Sequence, residues 1–150
     1  MHQQYLAAVR QPGQQVNPLF ALLGIQLEHA TPQSARLRLP FRKELLQGAG
    51  VVAGGVLATL ADEAMAHLVI ANLEPGQKTA TVEMAVRYFR PVINTGLAAE
   101  AVLVSKGRRI LSLEASVTDD QARLVAKAQA SFFILEDKLP PPGASQPGQG

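Results

Sequence analysis
The segment VLATLADEAMAHLVIANL, starting at Val56, contains neither Gly nor Pro and is rich in Ala and Leu. At 3.6 residues per turn its apolar side chains fall on nearly every face, and a helix with no polar face has to be buried on all sides. A helix over about 55–72 is therefore expected at the centre of the fold, with the remaining chain wrapped around it. Asp62, Glu63 and His67 stand within the most apolar run, from Val51 to Ile70. A membrane-spanning helix would tolerate them badly, so no membrane partner is expected.

The flanking sequence follows other periods. Asn17-Pro18 before LFALL and Gly24 offers a cap, a proline at the first helical position and a glycine stop, the marks of a short helix. Residues 25–29 and 34–39 read as strands, the second alternating Ala35, Leu37 and Leu39 with Ser34, Arg36 and Arg38. Beyond Glu74-Pro75-Gly76, residues 79–90 alternate Ala80, Val82, Met84, Val86 and Tyr88 with Thr79, Thr81, Glu83 and Arg87. Segments 97–105, 109–118 and 123–135 continue as strands between the turn signals Asn94-Thr95-Gly96, Lys106-Gly107-Arg108 and Asp119-Asp120-Gln121. Connections this short exclude parallel crossovers, so consecutive strands are expected to pair antiparallel in a four-stranded meander, extended by the earlier strands. The class is α+β, with one strongly curved antiparallel sheet around one long central helix.

A chain of 150 residues suits one domain. Residues 1–16, Gln-rich around Tyr5-Leu6-Ala7-Ala8-Val9, read as a flexible N-terminal arm or loose helical turn. The domain spans 17–137. Residues 138–150 are Pro, Gly and Ser with nothing to bury, and disorder is expected there. The absence of Cys excludes a disulfide scaffold, a zinc ribbon and a thiol nucleophile. His2, His29 and His67 are too scattered to promise a metal site. A formal charge of +2 supports no nucleic-acid partner, though it allows a local anion site. The N-terminus lacks a basic head followed by an apolar run, so a cytoplasmic address is expected.

Four motifs stand out in combination: QGAGVVAGGVLATLAD from Gln47 to Asp62, TVEM from Thr81, YFRPV from Tyr88 and KGRR from Lys106. Together, over about residues 17–135, they resemble the hotdog fold and, within it, the acyl-CoA thioesterase superfamily of the phenylacetate-degradation (PaaI-like) type. That family usually reads His-Gly-Gly where this chain has Ala53-Gly54-Gly55. In the family the carboxylate, rather than that His, is taken as the group that attacks or activates water. The resemblance implies hydrolysis of an acyl-CoA thioester without metal or cofactor, by a homodimer or a homotetramer.

Each motif residue has a chemical reading and a plainer one. Asp62 lies mid-helix in apolar company, where an unpartnered carboxylate is a liability. It is read as nucleophile or general base, against a structural Asp bonded to a loop or a partner chain. Glu63, about 100° further round the helix, is assigned to solvent or a salt bridge, with a working carboxylate as the alternative. Gly54 and Gly55 open the helix, where free N–H groups and a positive dipole suit an oxyanion and Gly lets a thioester carbonyl approach. Paired glycines also make ordinary tight turns. The resemblance places Gln47 where an amide helps polarise the carbonyl and Thr81 where a hydroxyl orients the water or the carboxylate; a solvated loop Gln and a routine strand Thr are the alternatives. Arg90, Lys106, Arg108 and Arg109 are candidates for the phosphates of coenzyme A, which Arg grips well, or are solubilising turn cations. His67 reads as a packed, satisfied histidine.

Distance adds an inference of its own. Gly54 and Asp62 are separated by roughly 12 Å along a helix at ~1.5 Å per residue, too far for one thioester group to touch both. The two roles must then come from two chains, with equivalent sites at a dimer interface. Two other readings remain. A hotdog dehydratase or hydratase would need a His beside its carboxylate, and His29 is poorly placed for it. A non-catalytic acyl-CoA-binding or regulatory module is favoured by Ala53.

Overall fold
The computed structural model describes residues 1–136; the tail expected at 138–150 lies outside the described residues. Three α-helices, α1 (His2–Val9), α2 (Pro18–Leu23) and α3 (Gly54–Ile70), accompany six strands. The strands are β1 (Gln26–Ala30), β2 (Ser34–Leu39), β3 (Gln77–Tyr88), β4 (Leu97–Lys106), β5 (Ile110–Asp119) and β6 (Leu124–Glu136). One antiparallel sheet in the order β1-β2-β4-β5-β6-β3 curves around α3, which is the hotdog layout. Among the described residues no helix is long and apolar enough to cross a membrane.

The helix is buried on the side that faces the sheet, while Val56, Ala58, Thr59, Asp62, Ala66 and Ile70 stay only half-buried, so burial on every side is not reached within this chain. Leu57, Leu60, Ala61, Ala64, Met65, Leu68 and Val69 are inaccessible or nearly so. They meet the inward residues of β2, β4, β5 and β6, among them Leu37, Ala99, Leu113, Val117 and Phe132. Burying a side chain of Leu or Met size contributes about 1.5–3 kcal/mol, so this wrap is the main force that closes the sheet. The short helix forms as its punctuation predicts: Asn17 Oδ1 accepts the Phe20 N–H at 3.1 Å, Pro18 is the first helical residue, and Gly24 ends the helix at φ 81°.

One expectation needs correction. The last four strands do not form one meander: β4-β5-β6 do, but β3 lies at the far edge against β6, and β4 pairs with β2. The link 89–96 runs from edge strand β3 to the interior strand β4 past the start of α3, where Val92 O accepts the Val52 N–H at 2.7 Å. Strands β5 and β6 therefore stand between β3 and β4 in the sheet. The N-terminal segment, read as a flexible arm or loose helical turn, contains α1 with Leu6 and Val9 buried in the core cluster. A polar relay fixes it. Asn17 Nδ2 donates to Tyr5 Oη at 3.0 Å, and Tyr5 Oη lies 3.3 Å from His67 Nε2. His67 Nδ1 donates to Glu63 O at 2.7 Å, and its ring packs on Phe20.

Candidate active site
Helix α3 begins where three backbone bonds converge. Gln47 N–H donates to Val51 O, Val52 N–H to Val92 O and Ala53 N–H to Leu45 O. The next two residues, Gly54 and Gly55, are exposed, and no acceptor among the described residues takes their N–H groups. Ala53 occupies the N-cap with no side chain able to cap them. The first N–H groups of a helix lack internal partners and carry the positive end of its dipole. Two such donors therefore stand open to solvent. The Tyr88 hydroxyl donates to Gly54 O at 3.1 Å, and a Cβ built on Gly54 would sit 3.5 Å from the Tyr88 ring.

Asp62 projects from the middle of α3 toward β3, where the Thr81 hydroxyl donates to its Oδ1 at 3.0 Å within the same chain. Strict alternation along 79–90 put Thr81 on the face opposite Met84. A bulge between Thr81 and Glu83 changes that phase: Thr81 pairs with inward Phe132, while Met84 and Val86 pair with inward Ala130 and Ala128. The extra residue, Val82, is extruded and 59% exposed. A bulge of this kind re-aims a side chain at little cost to the rest of the strand. Burial pushes the Asp62 carboxyl above its ordinary range, and the Thr81 hydrogen bond pulls it partway back.

Glu63 does not face open solvent. Burial, followed by the charge on Asp62, pushes it up to about 7, and its Oε2 lies 3.7 Å from His67 Nδ1. It belongs to the relay under α1, on a different flank from Thr81. Burial lowers the pKa of His67, which is packed and satisfied as expected.

Gln47 is exposed, and its Oε1 accepts the Ala49 N–H at 2.6 Å, which leaves its amide N–H group free of intramolecular partners among the described residues. The cations divide into two groups. Arg90 follows β3 just past Tyr88, at the Gly54 end of α3. Lys106 Nζ donates to Asn72 Oδ1 at the other end, roughly 24 Å away at ~1.5 Å per helical residue. Arg108 and Arg109 share that β4–β5 hairpin and are exposed; among the described residues neither they nor Arg90 form an ion pair. One chain therefore brings Asp62 and Thr81 together, and Gly54, Gly55 and Arg90 together, but keeps these groups apart. Tyr88 is the site residue that sequence reasoning missed in this role; its place at the apolar end of a strand marks it only as a wall residue.

Known proteins share both the sequence pattern and the fold of this chain. The sequence pattern of the Thioesterase superfamily matches residues 49–126. A relative from Halobacterium salinarum, provisionally named an esterase, is 32% identical over 79% of this chain and 85% of its own. Among solved structures, a mutant of the phenylacetic acid degradation protein PaaI from Thermus thermophilus is 28% identical, with a TM-score of 0.74 over 79% of this chain and all of that one. The thioesterase HI1161 from Haemophilus influenzae shares the fold at a TM-score of 0.77 and 20% identity, over 82% of this chain and 86% of that one. A helix start with open amides, a carboxylate further along the same helix and a matching sequence pattern converge on one assignment: the chain belongs to the Thioesterase superfamily.

Proposed function
We propose that this protein is an acyl-CoA thioesterase that works as a homodimer with two equivalent sites, each shared between chains. The observation that carries this reading is the separation along α3. Gly54 and Asp62 are on one rigid rod roughly 12 Å apart, so a single thioester reaches both kinds of group only if the second comes from another copy. Edge strand β3 offers the surface for it: twelve residues long, unpaired on one side and largely exposed, with Val82 and Tyr88 more than half accessible.

In this arrangement the thioester carbonyl of the substrate lies at the Gly54 N–H of one chain, with the Gln47 amide beside it. Asp62 of the other chain takes a proton from water through the oxygen that Thr81 leaves free. The water oxygen adds to the acyl carbon, the carbonyl electrons move to an oxyanion held by N–H groups, and the C–S bond breaks as the CoA thiolate is protonated. Two-fold pairing of Gly54 with Asp62 makes the helices antiparallel. It carries Lys106, Arg108 and Arg109 of one chain past Gly54 of the other, alongside that chain's Arg90, so the separated cations become one phosphate-binding group.

Subunit complementation tests the reading. Asp62→Asn and Gly54→Pro homodimers should each fail to release thiol from an acyl-CoA panel. Heterodimers purified through two different tags should recover about half the wild-type rate, because one of their two sites is intact. If each site lay within one chain, both sites of the heterodimer would be damaged and no activity would return. A wild-type protein that binds acyl-CoA without releasing thiol would instead identify a binding module, the reading that Ala53 favours.

A further inference from the structure
We propose that Tyr88 is a positioning residue that fixes the Gly54–Gly55 peptide, making the Gly55 N–H a second oxyanion donor beside that of Gly54. This rests on the thioesterase reading above. The peptide group is a rigid plane, so its carbonyl and its N–H point in opposite directions. The Gly54 carbonyl and the Gly55 N–H belong to one such plane. Tyr88 donates to that carbonyl at 3.1 Å while its ring lies against Gly54, which turns the Gly55 N–H outward, where it has no acceptor among the described residues.

The first turn of α3 needs this support. It has two consecutive glycines and no side-chain cap, and Gly in a helix is destabilising by roughly 0.5–1 kcal/mol relative to Ala. A cap that accepted the free N–H groups would steady the turn but consume the donors. Tyr88 acts on the carbonyl side, so it restrains the plane and leaves the N–H open. A hydrogen bond to the carbonyl also polarises the peptide and makes its N–H a better donor. Both Tyr88 and Thr81 belong to β3. One edge strand thus orients the carboxylate through one residue and the oxyanion turn through the other, and it is also the surface on which the second copy is proposed to dock.

Tyr88→Phe keeps the ring and removes the hydrogen bond, and two readouts on the full-length protein decide the matter. In thiol-release assays on an acyl-CoA panel, kcat should fall about tenfold with KM nearly unchanged, short of the roughly hundredfold that losing an oxyanion donor costs. By ¹⁵N relaxation, the backbone order parameter of Gly55 should drop while those of residues in the middle of α3 stay fixed. An unchanged Gly55 order parameter overturns the proposal whatever the kinetics show, and so does a lowered melting temperature with unchanged kcat, which marks a merely structural contact. If the wild type releases no thiol from any thioester, the hydrolase reading fails, and with it the oxyanion role. The Gly55 measurement then still decides whether Tyr88 holds the peptide.

Discussion
Gly54→Pro separates catalysis from folding at the start of α3. Proline removes one N–H and fixes φ near −65°. Gly54 is the first helical residue and lacks a positive φ, and proline is favoured at that position because the missing N–H has no helical partner. Its predecessor must be extended, and Ala53 already is, at φ −59° and ψ 136°. Space is available too: the nearest atoms to an added Cβ are those of the Tyr88 ring at 3.5 Å, an ordinary contact. The Gly54 N–H bonds to no described residue, so the resting protein loses no hydrogen bond. Lower entropy of the unfolded chain should stabilise the variant by about 0.4–1 kcal/mol, or about 1–4 °C in Tm for a chain of this size. The proposed oxyanion donor, by contrast, is gone, and kcat should fall by about 10²–10³, equivalent to about 2.7–4 kcal/mol of transition-state stabilisation. Thermal melts and steady-state thiol release on the same preparation measure both. A higher Tm with unchanged kcat would refute the catalytic role of that N–H. A Tm several degrees below wild type would refute the description of the turn.

Two further predictions concern the carboxylates. Thr81→Val removes the hydroxyl that draws the Asp62 carboxyl down, so the group rises further and its active ionised form is lost at a higher pH; the acid limb of the kcat/KM profile should move upward, while Thr81→Ser leaves it in place. Glu63 is raised from 4.5 to about 7 on folding, so between these values the folded chain keeps a proton the unfolded chain has released, and stability falls as pH rises. Glu63→Gln should therefore match wild type in Tm near pH 4 and exceed it increasingly up to pH 7; an advantage independent of pH would show that Glu63 ionises freely.

Local patterns determined much of this molecule. The all-round apolar segment could only be a buried helix, and a single helix of that kind demands a sheet that curves around it. Asn17-Pro18 and Gly24 fixed α2 to the residue, since capping and left-handed glycine are local chemistry. The mid-helix position of Asp62 and the length of α3 were enough to suggest the proposed site shared between two chains. Tertiary structure decided what depends on pairing across distant sequence. The place of β3 at the sheet edge is set by its pairing with β6, some fifty residues away along the chain. Thr81 reaches Asp62 only because a bulge at Val82 shifts the strand by one residue against β6, and period-two reading has no signal for that shift. Leu6 and Val9 look like an isolated apolar patch until α1 finds the flank of α3, where His67, Tyr5 and Asn17 complete one another's hydrogen bonds. Hydrogen-bond partners separated by tens of residues leave no periodic trace, because each is chosen by the fold rather than by its neighbours in the chain.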